Sequence, residues 1–300
     1  MSYVVGIDAG GTKTQAVVYD NLKKPIYTSS YGMGNINVDK ENAIANIIMA
    51  VDGCLPYVKG GAFICVGAAG ITAKGNREAL ETELLARYPQ HDLHITTDAH
   101  LALYAKLEGK DGILLISGTG SVVFGKARGK IERVGGWGNI LGDEGSGYAM
   151  ALSAIKALLG QYDDGKPYSP LSERLLESLG ATSVSDIIHL VYQRPKGEVA
   201  ALFKTIVDMA ERGDDEAIEI LLQGADDLCT MVYRLALKMD FQGTVPIALS
   251  GSVVTHVPAI RQRLLKRLKE RGIHYTLCEH DHDAPLGAVY ILYDIEQSSK

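Results

Sequence analysis

The sequence predicts an α/β chain of two lobes, each grown on a βββαβαβα core. Three observations predict it. A glycine-rich hairpin, Asp8-Ala9-Gly10-Gly11-Thr12-Lys13-Thr14, lies between strand-like runs at 3–7 and 15–19. A second, Ser117-Gly118-Thr119-Gly120-Ser121, lies between strand-like runs at 113–116 and 122–125. After Asp111-Gly112 the order of strand and helix patterns begins again. Two strand–turn–strand units at matching places indicate an internal duplication.

Each element has its own signal. Residues 3–31 read as three strands, with a turn at 20–25 before the third. Residues 41–55 carry Ile44, Ile47, Ile48, Val51 and Leu55 at helical spacing. Residues 62–67 form a buried strand, 76–87 a helix, 93–97 a strand that ends at Asp98, and 99–107 a helix. In the second half, strands fill 113–134, a glycine-rich stretch covers 135–147, and a helix follows over 148–159. Residues 171–240 are almost wholly helical. A strand is expected at 246–250, an amphipathic helix at 257–271, a strand at 274–277 and a last helix at 285–295. The two lobes are expected at 1–110 and 111–300, with the last helix a candidate to pack back on the first lobe. Ligands in such folds sit beyond the carboxyl ends of strands, here in a cleft between the lobes.

Three hundred residues suffice for one large or two medium domains. A formal net charge of −6 and the absence of any Lys/Arg cluster exclude a nucleic-acid footprint. The basic stretch 261–271 alternates with leucines at helical spacing and reads as a solvated helix face. The chain enters a strand at once, so no signal peptide is expected, and no apolar run approaches the roughly 20 residues of a membrane span. The four cysteines, Cys54, Cys65, Cys229 and Cys278, show no Cys-x-x-Cys spacing, and the eight histidines no His-x-x-x-His pair. Reduced thiols in a cytoplasmic protein are the expectation, and neither a zinc nor an iron–sulfur site is expected.

The hairpins carry chemistry. Glycine lets a phosphate approach exposed backbone N–H groups closely. Two facing loops of this kind suit a nucleoside triphosphate gripped from both sides, which points to ATP. The first loop is not a Walker A loop. One extra residue precedes Lys13, and residues 15–19 continue as a strand where a Walker loop needs a helix. Neither loop has the dinucleotide fingerprint. As isolated features both loops also fit ordinary tight hairpins.

The stretch Gly135-Gly136-Trp137-Gly138-Asn139-Ile140-Leu141-Gly142-Asp143-Glu144-Gly145-Ser146-Gly147-Tyr148 packs six glycines around the chain's only tryptophan. Each ordered glycine costs about 0.5–1 kcal/mol relative to alanine, so such density calls for a reason, and close approach to a polar ligand is one. A flexible loop with Asp143 and Glu144 ahead of a helix is the other reading. Asp98, where strand gives way to helix, is either an N-cap or a general base, and the two roles are compatible.

Taken together, the two loops, Gly-Trp-Gly and Gly-Asp-Glu-Gly-Ser resemble the N-acetylglucosamine kinases. These fall within the BadF/BadG/BcrA/BcrD-type ATPases of the sugar kinase–heat-shock–actin superfamily. The resemblance spans essentially the whole chain and is most specific over 135–148. It implies a two-lobed actin-like (ribonuclease H-like) ATPase fold, a homodimer, and ATP and Mg²⁺ as cofactors. By resemblance, Gly11 and Thr12 match the first phosphate loop and Asp8 the acidic residue that holds Mg²⁺. Thr119 and Gly120 match the second phosphate loop. Asn35 matches a sugar-binding asparagine and Asp98 the catalytic base, also in contact with the sugar. Gly136, Trp137, Gly138 and Asp143 match the sugar-binding loop. Gly251 and Ser252 match the adenosine-binding loop, with Ala201 beside the adenine. His256 departs from the pattern, where a smaller polar residue would be expected.

The implied reaction is phosphorylation of an amino sugar, with N-acetylglucosamine the first choice and glucosamine or N-acetylmuramic acid the alternatives. A muramic lactyl carboxylate would want a nearby cation, which the sequence does not locate. A second class is an ATPase that activates a partner enzyme, as in the BadF branch. The dispersed cysteines and the tryptophan loop count against it. A repressor–kinase regulator would need a DNA-binding domain, and no such domain is expected.

Overall fold

The computed structural model describes residues 3–181 and 183–298. The chain divides into two compact units, Met1–Asp111 with Cys278–Lys300, and Gly112–Leu277. The first begins with β1 (Val4–Ala9), β2 (Thr14–Tyr19), β3 (Pro25–Tyr31), α1 (Lys40–Cys54), β4 (Phe63–Ala68), α2 (Asn76–Arg87), β5 (Asp92–Thr96) and α3 (Asp98–Lys106). Its sheet runs in the order β3-β2-β1-β4-β5. The hairpin strands are antiparallel, while β4 lies parallel to β1 and β5 to β4.

Central strands buried on both faces must be apolar throughout, and every residue of β4 is buried. The edge strand β3 alternates exposed and half-buried positions. On one face, Ala43, Ile47, Ala50 and Val51 of α1 join Ile7, Ile64 and Val66 in a core. The Asp39 side chain caps α1 by accepting the Asn42 N–H at 3.2 Å.

The second unit repeats the plan. It contains β6 (Gly112–Ser117), β7 (Ser121–Ala127), β8 (Lys130–Gly135) and α4 (Gly147–Asp163). Four shorter helices follow: α5 (Pro170–Leu179), α6 (Val184–Gln193), α7 (Lys196–Ala201) and α8 (Phe203–Glu211). Then come α9 (Asp215–Met239), β9 (Val245–Ser250), α10 (Ser252–His256), α11 (Pro258–Glu270) and β10 (Tyr275–Leu277). The order β10-β9-β6-β7-β8 reproduces the first sheet strand for strand, with the same parallel and antiparallel pairings. The long α9 brings Leu228, Val232, Leu235 and Ala236 into the core beside Ile113, Leu115 and Val123.

The chain then returns to the first unit as a 3-10 turn, Ala284–Leu286, and α12 (Gly287–Ser298). Ala288 and Ile291 of α12 pack with Leu101 of α3 and with Val4 and Cys65 on the second face of the first sheet. A Cβ at Gly6 would collide with the Pro285 carbonyl, so that close approach needs glycine.

Several boundaries differ from expectation. The helix expected at 257–271 is found as α11, and Pro258 at its first position, with Val257 extended before it, sets it off from the short α10. Helix α4 continues past 159 to Asp163. Asp98 is not an N-cap. Thr97 caps α3, accepting the His100 N–H at 3.0 Å, and Asp98 is the first helical residue. Among the described residues, no helix is long and apolar enough to cross a membrane.

Candidate active site

In the first unit the β1–β2 turn leaves Gly11 and Thr12 exposed. A bond from Gly34 N–H to Gly10 O, at 2.9 Å, ties this turn to the segment that carries Asn35. The Asn35 side-chain oxygen accepts the Asn37 N–H at 3.0 Å and lies against Gly70. Gly70 has φ +73, and a Cβ there would come within 2.6 Å of that oxygen. Asn35 is thus half-buried and held by its own turn.

Asp8 stands near the end of β1, and Asp98 begins α3. The Asp98 carboxylate accepts the Ala99 N–H at 2.9 Å. Burial raises its pKa, opposed by the N–H groups of Ala99 and of Asp98 itself. Burial, reinforced by the charges of Asp98 and Asp283, pushes Asp8 up to about 6, against the pull of Lys13. Three carboxylates therefore share one field with one opposing lysine. Oxygen donors crowded in this way fit a hard divalent cation, which relieves their repulsion. Nearby, the buried Thr14 hydroxyl has no hydrogen-bond partner among the described residues.

In the second unit several predicted residues come together. Ser117 Oγ donates to Gly145 O at 2.9 Å, and Ser121 Oγ to Glu144 O at 2.7 Å. Gly147 N–H donates to Gly118 O at 2.8 Å. The β6–β7 turn and the tryptophan loop are thus braced against each other, with Thr119 exposed at the tip. Gly251 has φ +89, and a Cβ there would strike the Ser117 carbonyl, so glycine is required where this backbone meets β6. Ser252 opens α10 and is exposed, as is Ala201 at the end of α7.

Asp143 is 4 % exposed and takes the left-handed conformation, φ +64. Its Oδ2 accepts a hydrogen bond from the ammonium of Lys196, at the start of α7. A Cβ at Gly120 would lie 2.9 Å from that Oδ2 and 3.0 Å from the Lys196 nitrogen. The β6–β7 turn, Asp143 and Lys196 are therefore one cluster. Trp137 is 60 % exposed, with Arg133 stacked over its ring at 4.2 Å. Ile140 and Leu141 are also exposed and form an apolar lip on this loop.

Two glycines of this stretch have a packing cause. A Cβ at Gly135 would strike Met231, and one at Gly145 would meet Gly224 O and Leu228. Internal packing, not a ligand, accounts for those two, whereas Gly138 faces open space. Sequence reasoning missed Lys196, Asp283 and Thr14. Lys196 lies in a short helix with no motif around it, and Asp283 reaches Asp8 only through tertiary folding. A pocket of about 420 Å³ lined by Val207, Ile218, Leu221, Val257 and Ala259 contains none of the predicted residues.

The chain is similar to known proteins over nearly their whole length. An N-acetylmuramic acid/N-acetylglucosamine kinase of Clostridium acetobutylicum is 29% identical over 97% of this chain and 98% of its own. An N-acetyl-D-glucosamine kinase of Dictyostelium discoideum is 27% identical over 96% of each. A crystal structure from Chromobacterium violaceum, that of a candidate N-acetylglucosamine kinase, superposes with a TM-score of 0.77. It is 22% identical and covers 97% of this chain and 99% of its own, a likeness of fold. The model of one ATPase family matches residues 5–291, and so takes in both glycine-threonine hairpins, both sheets and the carboxylates between them in sequence. The chain belongs to the BadF/BadG/BcrA/BcrD ATPase family.

Proposed function

We propose that the chain is an ATP-dependent kinase that phosphorylates the 6-hydroxyl of an amino sugar, N-acetylglucosamine. The observation that carries this reading is the Asp8–Asp98 pair beside the exposed Gly11-Thr12 turn. One carboxylate is raised by burial and still held by backbone N–H groups, and the other is crowded by negative charge. That pairing suits one base and one cation holder.

Asp98 accepts the proton of the sugar hydroxyl as its oxygen attacks the γ-phosphorus. The new O–P bond forms as the bond to the β-phosphate bridging oxygen breaks, and ADP leaves. A positioned base of this kind contributes roughly 10²–10⁴-fold. Gly11 and Thr12 in one loop, with Thr119 and Gly120 in the other, donate to phosphate oxygens. Gly251, Ser252 and Ala201 receive the adenosine. Asn35, Gly136, Trp137, Gly138 and Asp143 bind the sugar. Mg²⁺ held by Asp8, when bound, neutralises phosphate charge. Lys196 holds Asp143 in place and adds a positive charge beside the second phosphate loop.

N-acetylmuramic acid is the second reading, and Arg133 favours it. Its guanidinium on the Trp137 ring supplies the cation that a lactyl carboxylate would need, and the Clostridium relative bears both sugars in its name. The partner-activating ATPase is disfavoured, since Cys54, Cys65 and Cys229 are buried and have no surface to share with a second chain. A cytoplasmic homodimer remains part of the proposal.

The test is ADP release from Mg-ATP with N-acetylglucosamine, glucosamine, N-acetylmuramic acid, N-acetylmannosamine and glucose, with Asp98→Asn as control. Strong stimulation by one amino sugar, lost in the variant, is expected. Release indifferent to every sugar would overturn the kinase assignment.

A further inference from the structure

We propose that Glu108, His280 and His282 form a zinc-binding site, distinct from the residues assigned to phosphoryl transfer. Glu108 lies just past the end of α3, and the two histidines alternate along the segment between β10 and the 3-10 turn at 284–286. One ligand atom from each falls within 4.8 Å of the other two. His282 Nε2 is 3.2 Å from Glu108 Oε1, and His280 Nε2 is 3.9 Å from the same oxygen. The two imidazoles stack at 5.4 Å and 11°, so their ring edges turn the same way. Lys110 holds the other carboxylate oxygen, Oε2, at 2.8 Å, which leaves Oε1 facing the histidines.

These distances suit a tetrahedral zinc ion. Zinc bonds of about 2.0–2.2 Å to nitrogen and oxygen place neighbouring ligand atoms roughly 3.3 Å apart. The His282–Glu108 separation already matches. His280 is 64% exposed and has room to close the remaining gap. Two imidazoles and a carboxylate select zinc over Mg²⁺, which takes oxygen ligands. Outer contacts hold the ligands in position. Lys110 orients the carboxylate, and Lys106 binds Asp281, between the two histidines, at 2.6 Å. A fourth coordination position is left to water.

A bound ion would clip the 280–282 segment to the end of α3. The next residue, Asp283, accepts a hydrogen bond from Gln15 at 3.4 Å and lies in the field of Asp8. The clip therefore acts on the segment that brings Asp283 to the phosphate-loop end of the first sheet. Sequence spacing conceals the site, since Glu108 stands 174 residues before His282.

The test uses the full chain, stripped with a chelator and free of nucleotide and sugar. Equilibrium dialysis against Zn²⁺ should give one ion per chain, with a rise of several degrees in melting temperature that millimolar Mg²⁺ does not reproduce. Co²⁺ in place of zinc should give visible d–d bands without a thiolate charge-transfer band. The variant His280→Ala/His282→Ala should bind zinc at least tenfold more weakly, and the single exposed change His280→Gln should weaken it as well. Circular dichroism in chelator should match wild type for both. The proposal is overturned if the wild-type chain takes up no stoichiometric zinc. Equal uptake by folded variants, or a thiolate band, would also overturn it. Each of these readouts is independent of kinase activity.

Discussion

The ammonium of Lys196 is bonded to the Oδ2 of Asp143, a carboxylate with almost no solvent exposure and a left-handed backbone. Removing one partner of such a pair leaves an uncompensated buried charge, which costs more than the pair contributes. Lys196→Met is expected to destabilise the chain by about 2–3 kcal/mol, less than a fully buried pair because Lys196 is partly exposed. Asp143→Asn in the same background should recover part of that loss. Urea melts of the two singles and the double give the coupling. Strictly additive losses would mean that the ion pair does not hold the loop.

Asp98→Asn keeps the shape of the side chain and its place at the start of α3, but removes the carboxylate proposed as the base. The turnover number should fall at least 10²-fold while the sugar KM changes little. Steady-state kinetics with varied sugar separate the two constants. A variant that kept near-wild-type turnover would exclude Asp98 as base.

Asp8 links stability to pH in a defined direction. Its pKa is raised from 3.8 to about 6 in the fold, so the native state binds more protons than the unfolded chain between those values. Its contribution to stability is therefore greatest below about pH 4. It is lost as pH rises through 6, at a cost on the order of 2–3 kcal/mol above that. Asp8→Asn should melt several degrees higher than wild type at pH 7.5, with a clearly smaller difference at pH 4.5, and should be inactive. Calorimetry at the two pH values checks it, and equal differences at both would contradict the assignment.

Two glycines of the proposed nucleotide site should respond oppositely to alanine. At Gly251 a methyl group meets the Ser117 carbonyl in a backbone conformation that L-residues avoid, so Gly251→Ala should lose stability. At Gly11 a methyl group meets nothing within 4 Å, so Gly11→Ala should fold normally and raise only the KM for ATP. Melting curves and ATP titrations on both variants test the contrast.

Much of the fold was legible because its determinants are local. The apolar runs of β1, β4 and β6 and the helical period of α1 record which faces must leave water, and the two Gly-Thr hairpins mark the duplication that the two sheets repeat. Resemblance of Gly135–Tyr148 to a known pattern pointed to the family. Other features are set only by the folded chain. Thr97, not Asp98, caps α3. Gly145 and Gly135 are glycines because Leu228 and Met231 occupy the space beside them. Lys196 meets Asp143, Asp283 faces Asp8, and Glu108 meets His280 and His282 across more than 50 residues of chain. Local sequence sets propensity and burial, which depend on neighbours a few positions away. Charge pairing, repulsion and ligand geometry fall off over a few ångströms of space, so they are decided only when tertiary folding brings distant residues together.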